Sequence, residues 1–347
     1  MRGRRAARRL LPPVLLLALA LAAPAWSPAQ GASPARTYLV LPFEDSEPDP
    51  PRDWLREAMS ISLGEYFRGA GQGVVDREDW ILAMEELSVP AGAPLTLATS
   101  IKLGRHLAAS QEGPRPDRLV VGKFTLDQGQ ITVSARVLAL DSNRSGPWRE
   151  EQGSLKDLLK LQKSLAHSLL RDDDAPVNGL GAAADDVEAG RSFPLVAYEN
   201  YIRALIDPAP GRQQSLLRKA VEQSPGYPKA CYQLGRILAR AGKGREAEAI
   251  LRKASAEPIP YAAEHHALLG SLALDAGRTP DAEAEAGKSL AVRETAEARI
   301  LRARIALSRG DGGAARSELD RAAALDPENP DLDALRRQIE KPEAPSR

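Results

Sequence analysis

Small residues recur in this chain in four columns at one spacing, and that recurrence restricts the fold more than any other feature. Gly235, Gly270 and Ala303 form the first column and Gly242, Gly277 and Gly310 the second. Ala247, Ala282 and Ala315 form the third, and Ala254, Ser289 and Ala322 the fourth. Every column steps by 35 and then 33 residues. The first full copy starts at Pro228 and Lys229 and continues "ACYQLGRILARAGKGREAEAILRKASAEPIP". The second reads "EHHALLGSLALDAGRTPDAEAEAGKSL" and the third "ARILRARIALSRGDGGAARSELDRAAALDPENP". A partial copy precedes them and ends in Leu217, Ala220 and Pro225, with Ala220 lying 34 residues before Ala254.

A repeat of this length predicts a stack of helix pairs. The two helices of a pair cross closely, and Gly235 and Ala247 leave room at the crossing where larger side chains would push the helices apart. Leu234, Leu238 and Leu251 fill the space around them. One pair cannot bury its apolar face alone, so several stack into a continuous core. Residues Asp331 to Lys341 predict a terminal helix that caps the stack. In period, turn glycines and small-residue columns, residues 193–341 resemble an array of tetratricopeptide (TPR) repeats, about three and a half of them.

The resemblance implies a concave groove lined by the first helix of each repeat. Register places Lys229, Tyr232, Arg236 and Arg240 there from the first full copy. Glu264, Ser271 and Asp275 come from the second, and Arg304 and Ser308 from the third. The cationic trio Lys229, Arg236 and Arg240 is suited to an acidic segment or a C-terminal carboxylate of a protein or peptide partner. The alternative is an ordinary charged helix surface.

Residues 36–170 alternate between two kinds of pattern. Thr37 to Phe43 reads as a strand running into a turn. Asp53 to Arg68 repeats Trp54, Met59, Leu63 and Phe67 at helical spacing. Val74 to Asp76 is a short strand, and Arg77 to Leu87 and Thr96 to Ala109 are helices, the second capped by Thr96. Arg118 to Leu126 and Gln130 to Leu140 form a hairpin across Asp127 to Gln130. Leu155 to Leu170 is an amphipathic helix. The order β-α-β-α-α-β-β-α predicts an α/β sandwich with mixed strand directions, so the whole chain is α+β multidomain with an all-α TPR solenoid at its end.

The blocks "VLPFEDSEPDPPRDWLREAMSISLGEYF", "VVDRED", "LATSIKLGRHLAA" and "LVVGKF…ITVSARVLAL" resemble the N-terminal domain of TolB and its FlgO and CsgG relatives. The resemblance implies a periplasmic or outer-membrane-associated α/β domain with no known active site, used in envelope assemblies. CsgG-type pores carry membrane-spanning hairpins and a lipid anchor, and neither feature is visible in this sequence.

Between the two regions, residues 171–192 are rich in Asp, Pro, Gly and Ala and predict a flexible linker. At the other end, residues 1–29 read as a signal peptide. Arg2, Arg4, Arg5, Arg8 and Arg9 precede an apolar run from Leu10 to Ala23, with cleavage sites after Ala25 or Ala29. The run is short of the roughly 20 residues a span needs; an uncleaved anchor is the alternative. Cleavage removes five of the 47 basic residues and none of the 47 acidic ones, leaving a net charge of −5. A mildly acidic body gives no reason to expect nucleic acid. The lone Cys231 excludes an internal disulfide, and its distance from the leader argues against a lipoprotein.

No set of residues for chemistry stands out. His106, His167, His265 and His266 have no metal-ligand spacing with Cys or carboxylates, so neither metal nor cofactor is expected. By register, His266 and Cys231 occupy equivalent packing positions one repeat apart. Gly287-Lys288-Ser289 imitates the end of a phosphate loop but falls inside a predicted helix, whose amides are already bonded. Asp185 and Asp186 read as solvated linker acids. The sequence therefore predicts a non-catalytic, exported (periplasmic) adaptor that holds a partner in envelope assembly. The alternative is a ring-forming component of an outer-membrane secretion or transport apparatus.

Overall fold

Thr37–Val40 has no polar side chain beyond its first two residues, and it forms a central strand covered on both faces, as parallel strands are. A computed structural model describes residues 36–47, 52–90, 95–110, 113–175, 194–254, 261–327 and 329–340. The expected signal peptide and residues 176–192 of the expected linker lie outside the described residues.

In the first half the elements are β1 (Thr37–Val40), β2 (Glu44–Asp45), α1 (Asp53–Gly69), β3 (Gly73–Val74), α2 (Arg77–Glu86) and α3 (Leu97–Ala109). They continue as β4 (Arg118–Asp127), β5 (Gln130–Ala139), β6 (Arg149–Ser154) and α4 (Leu158–Asp172). The sheet order is β3-β1-β4-β5-β6, with β2 pairing the far end of β4. β1 runs parallel to β3 and β4, while β4, β5 and β6 are antiparallel neighbours. The mixed directions thus follow the sequence reading. Two strands were not anticipated: β2, and the polar β6 (REEQGS), which pairs β5 from Gln130↔Ser154 to Ala135↔Arg149. A strand at a sheet edge can be charged throughout, so alternation does not mark it.

Each face of the sheet carries a helical layer. Tyr38, Val40, Phe124, Ile131, Val133 and Ala135 pack under α1 and α4. Leu39, Leu119 and Leu138 pack under α2 and α3 through Trp80, Met84, Leu103 and Leu107. Thr96 caps α3 by accepting from the Thr99 amide at 3.2 Å. Asp172 and Asp173, which begin the expected linker, are instead tied to the folded body. Asp172 accepts from Arg149, and Asp173 accepts from the Tyr38 hydroxyl at 2.7 Å and pairs with Arg36 and Arg118.

The second half is a stack of helical hairpins: α5 (Leu195–Ile206) with α6 (Pro210–Gln223), α7 (Pro228–Arg240) with α8 (Gly244–Ala254), α9 (Ala262–Asp275) with α10 (Thr279–Val292), and α11 (Ala296–Ser308) with α12 (Gly312–Leu325). The last helix, α13 (Asp331–Glu340), packs on the final pair. The copy read as partial from sequence is a full hairpin, because Ala197, Tyr198, Tyr201 and Ile202 supply the face that α6 needs. Gly242, Gly277 and Gly310 each turn the chain with φ between 72 and 75°. At Gly235 a Cβ would come within 2.8 Å of Leu251, and at Gly270 it would collide with Leu301 and meet the Ala282 carbonyl at 3.2 Å. Gly235 and Gly270 are therefore held small by the helix crossings, and the turn glycines by their left-handed backbone.

The two halves share one core. Met59, Leu63 and Phe67 of α1 belong to the same buried cluster as Tyr198, Tyr201, Ile202, Tyr227 and Leu234. A reading in which only a linker joins the halves leaves this interface out.

Candidate partner-binding groove

The repeat arithmetic gives the equivalent positions along the first helices. Tyr201, Arg236, Ser271 and Arg304 occupy one position along the first helices, with steps of 35, 35 and 33. Leu205, Arg240, Asp275 and Ser308 occupy the position one turn later, with the same steps. Both columns project from α5, α7, α9 and α11.

The structure puts helix α1 of the sheet domain against the first part of this face. Glu65, near the end of α1, meets Lys229 Nζ of α7 at 2.6 Å. The hydroxyls of Tyr201 on α5 and Tyr261, just before α9, donate to the same carboxylate at 3.3 and 3.1 Å. Three successive hairpins thus converge on one acid. One turn earlier on α1, the Tyr198 hydroxyl and Ser62 lie 2.6 Å apart, and Tyr198 also reaches Gln162 of α4. Burial raises Tyr198, Tyr201 and Tyr261 well above the usual phenol range, so all three remain neutral donors at ordinary pH.

Lys229 is consequently buried and engaged within the chain, which removes it from the trio expected to receive a partner's acid. Tyr232 is buried too. It stacks on Tyr261 with ring centres 5.9 Å apart and planes within 8°, lies 5.7 Å from His265, and carries the Arg236 guanidinium 5.6 Å above its ring. Burial pushes the Tyr232 phenol up to about 12. The other two cations remain open. Arg236 is half-buried and has only Tyr232 and a long 3.5 Å bond to Gln233, while Arg240 is exposed. Neither makes an ion pair among the described residues.

Farther along, Asp275 pairs with Arg304, Glu264 pairs with Arg293, Ser271 is half-buried, and the Ser308 hydroxyl donates to the Ile305 carbonyl at 2.7 Å. Where α1 and α2 face α5 and α7, a cleft of about 510 Å³ remains. Arg68, Trp80, Tyr201, Leu205, Gln233 and Arg236 are among its lining residues. The sequence reading missed Glu65, Tyr201 and Tyr261. Counting 35 residues back from Arg236 reaches Tyr201; nothing in the pattern points to Glu65, which lies in a different region of the chain.

The remaining candidates are structural. Cys231 is fully buried and burial pushes its thiol up to about 12, far from a nucleophile's range. His266 bridges to Glu285 of α10 at 2.6 Å, whereas the fully buried histidine is its neighbour His265. Ser289 of the phosphate-loop imitation is inside α10, bonding the Ala263 carbonyl at 2.7 Å. Among the described residues no group of His, Cys, Asp and Glu could hold a metal ion, and no helix is long and apolar enough to cross a membrane.

A tetratricopeptide-repeat family model matches residues 214–272, which run from α6 into α9. No curated protein matches the chain. Among solved structures, the LpoB C-terminal domain from Salmonella enterica is 10% identical with a TM-score of 0.28, covering 36% of this chain and 87% of that chain. A thermophilic TPR protein from Thermus thermophilus is 20% identical with a TM-score of 0.35, covering 53% and 95%. PilW, a type IV pilus biogenesis factor, is 19% identical with a TM-score of 0.35, covering 53% and 80%. At these scores the likenesses carry no information about mechanism.

Proposed function

We propose that this protein is a non-catalytic adaptor that holds an acidic segment of a partner protein on the open part of its TPR groove. The observation that carries the reading is the way Lys229, Tyr201 and Tyr261 seat the Glu65 carboxylate: the same face that takes an acid from within the chain continues into Arg236 and Arg240, which have none. A guanidinium gains most from a planar carboxylate that it can grip with two N–H donors. Arg236 and Arg240 lie one helical turn apart, so acids about a turn apart on a partner helix match them. Arg304, already shared with Asp275, marks the far side of the same surface.

The leader-like sequence of residues 1–29 supports an exported, periplasmic setting, and the N-terminal blocks that resemble TolB relatives support a role at the cell envelope. The test is a capture experiment with the full chain as bait, comparing the parent with Arg236→Gln/Arg240→Gln and with Lys229→Met. The expected result is one protein held by the parent and lost from the arginine double variant. A partner equally retained by that variant contradicts the reading.

A further inference from the structure

The α2–α3 layer covers only part of its face of the sheet. It packs on Leu39, Leu41, Leu119, Leu138 and Leu140, with Val121 at its margin. Side chains alternate along a strand, so the same face continues through Lys123 and Thr125 on β4 and through Arg136 and Thr132 on β5. These residues are exposed or half-buried. The residue just ahead of β6, Trp148, lies across from Arg136 and is 46% exposed. Its indole has the Arg136 guanidinium 4.7 Å and the Lys123 ammonium 5.7 Å from the ring.

Both cations lack a carboxylate among the described residues. Glu44 is the register partner of Lys123 yet forms no ion pair with it, and the nearby Glu150 is held by the Ser134 hydroxyl at 3.0 Å. The Arg136 Nε is sealed from solvent with no hydrogen-bond acceptor. A sheet face left uncovered by the described residues, with an exposed Trp beside two cations that make no ion pair among them, has the composition of an interface centre, where Trp and Arg are enriched.

We propose that the face around Trp148, Arg136 and Lys123 is a second protein-docking surface, separate from the TPR groove. Its occupant is a partner segment that lays an aromatic side chain on the indole and places carboxylates on Arg136 and Lys123. The flanking Glu44 and Glu150 favour such discrete carboxylates over a continuous anionic surface, because a bilayer or a nucleic-acid backbone would bring charge against those acids as well. The surface would let the chain join two proteins, one on each half.

The test uses the full-length protein and a synthetic peptide, Ac-Glu-Glu-Phe-Glu-Glu-amide, followed by isothermal titration. Its Lys-for-Glu counterpart and vesicles of anionic phospholipid are the comparisons. Trp148→Ala, Arg136→Gln and Lys123→Gln are surface changes checked for retained fold by circular dichroism. In the Arg236→Gln/Arg240→Gln background, which removes the cations of the groove, the expected result is binding of the acidic peptide that weakens at least tenfold on adding Trp148→Ala or Arg136→Gln and is absent for the Lys peptide. Absence of binding in that background, binding that survives both Trp148→Ala and Arg136→Gln, equal binding of the Lys peptide, or vesicle binding that depends on Trp148 in place of peptide binding would each overturn the proposal.

Discussion

Glu65 of the sheet domain and Lys229 of the second helical hairpin form an ion pair 2.6 Å long that is largely screened from solvent and is completed by two tyrosine hydroxyls. It is the polar centre of the contact between the two halves. Removing one partner leaves an uncompensated charge in a closed site, at a cost of about 3 kcal/mol or more, whereas neutralising both while keeping an acceptor for the two tyrosine hydroxyls costs less. Lys229→Met is therefore expected to destabilise the chain strongly, and Glu65→Gln/Lys229→Met to recover part of the loss. Denaturant unfolding of the four-member cycle measures this. Additive losses would mean that the two residues do not interact.

His265 is fully buried beside Tyr232, and burial lowers its imidazole from 6.5 to about 4. Its ring nitrogens make no hydrogen bond of ordinary geometry, the Leu251 carbonyl offering only a weak one. In the unfolded chain it protonates near 6.5, so the unfolded state binds the extra proton first as pH falls. The contribution is present in full above about pH 6.5 and is lost progressively down to about pH 4. Its size is roughly 3 kcal/mol. His265→Leu should flatten that segment of the stability–pH curve relative to the parent, as followed by thermal melts from pH 7 to 4. Parallel curves would show that another group governs the acid response.

The glycines of the array divide by what surrounds them. Gly270→Ala forces a methyl into Leu301 and the Ala282 carbonyl, and overpacking of this kind costs about 1–3 kcal/mol. Gly287, also within a helix, has open space where a Cβ would be, so Gly287→Ala should stabilise by about 0.5–1 kcal/mol through helix propensity. Differential scanning calorimetry of the two variants checks the opposite signs. A neutral Gly270→Ala would mean that the crossings tolerate more volume than the repeat columns imply.

The helical array was legible because its constraint is local and repeated: each hairpin needs a small residue at the same crossing and a glycine at the same turn. The central strands and helices of the first half were legible for a similar reason, since Tyr38 to Val40 and Ile131 to Val137 bury regular patterns. β6 was not, because an edge strand satisfies only one side of its backbone and its charged residues hide the alternation. Lys229 was misjudged for a different reason. Register assigned it to the groove, but its partner Glu65 is 164 residues away on a separate unit, and no periodic pattern links the two.

Site-specific photocrosslinking in living cells reads out whether the groove holds a partner. A benzoylphenylalanine at Ser308, exposed at the end of α11 and proposed to lie in the groove, is compared with one at Arg321, exposed on α12. The account predicts a covalent adduct to one protein from position 308, none from 321, and loss of that adduct when Arg236→Gln and Arg240→Gln are added. An adduct from 321 alone, or one from 308 that survives both arginine changes, would contradict the assignment of the groove as the site where the partner is held.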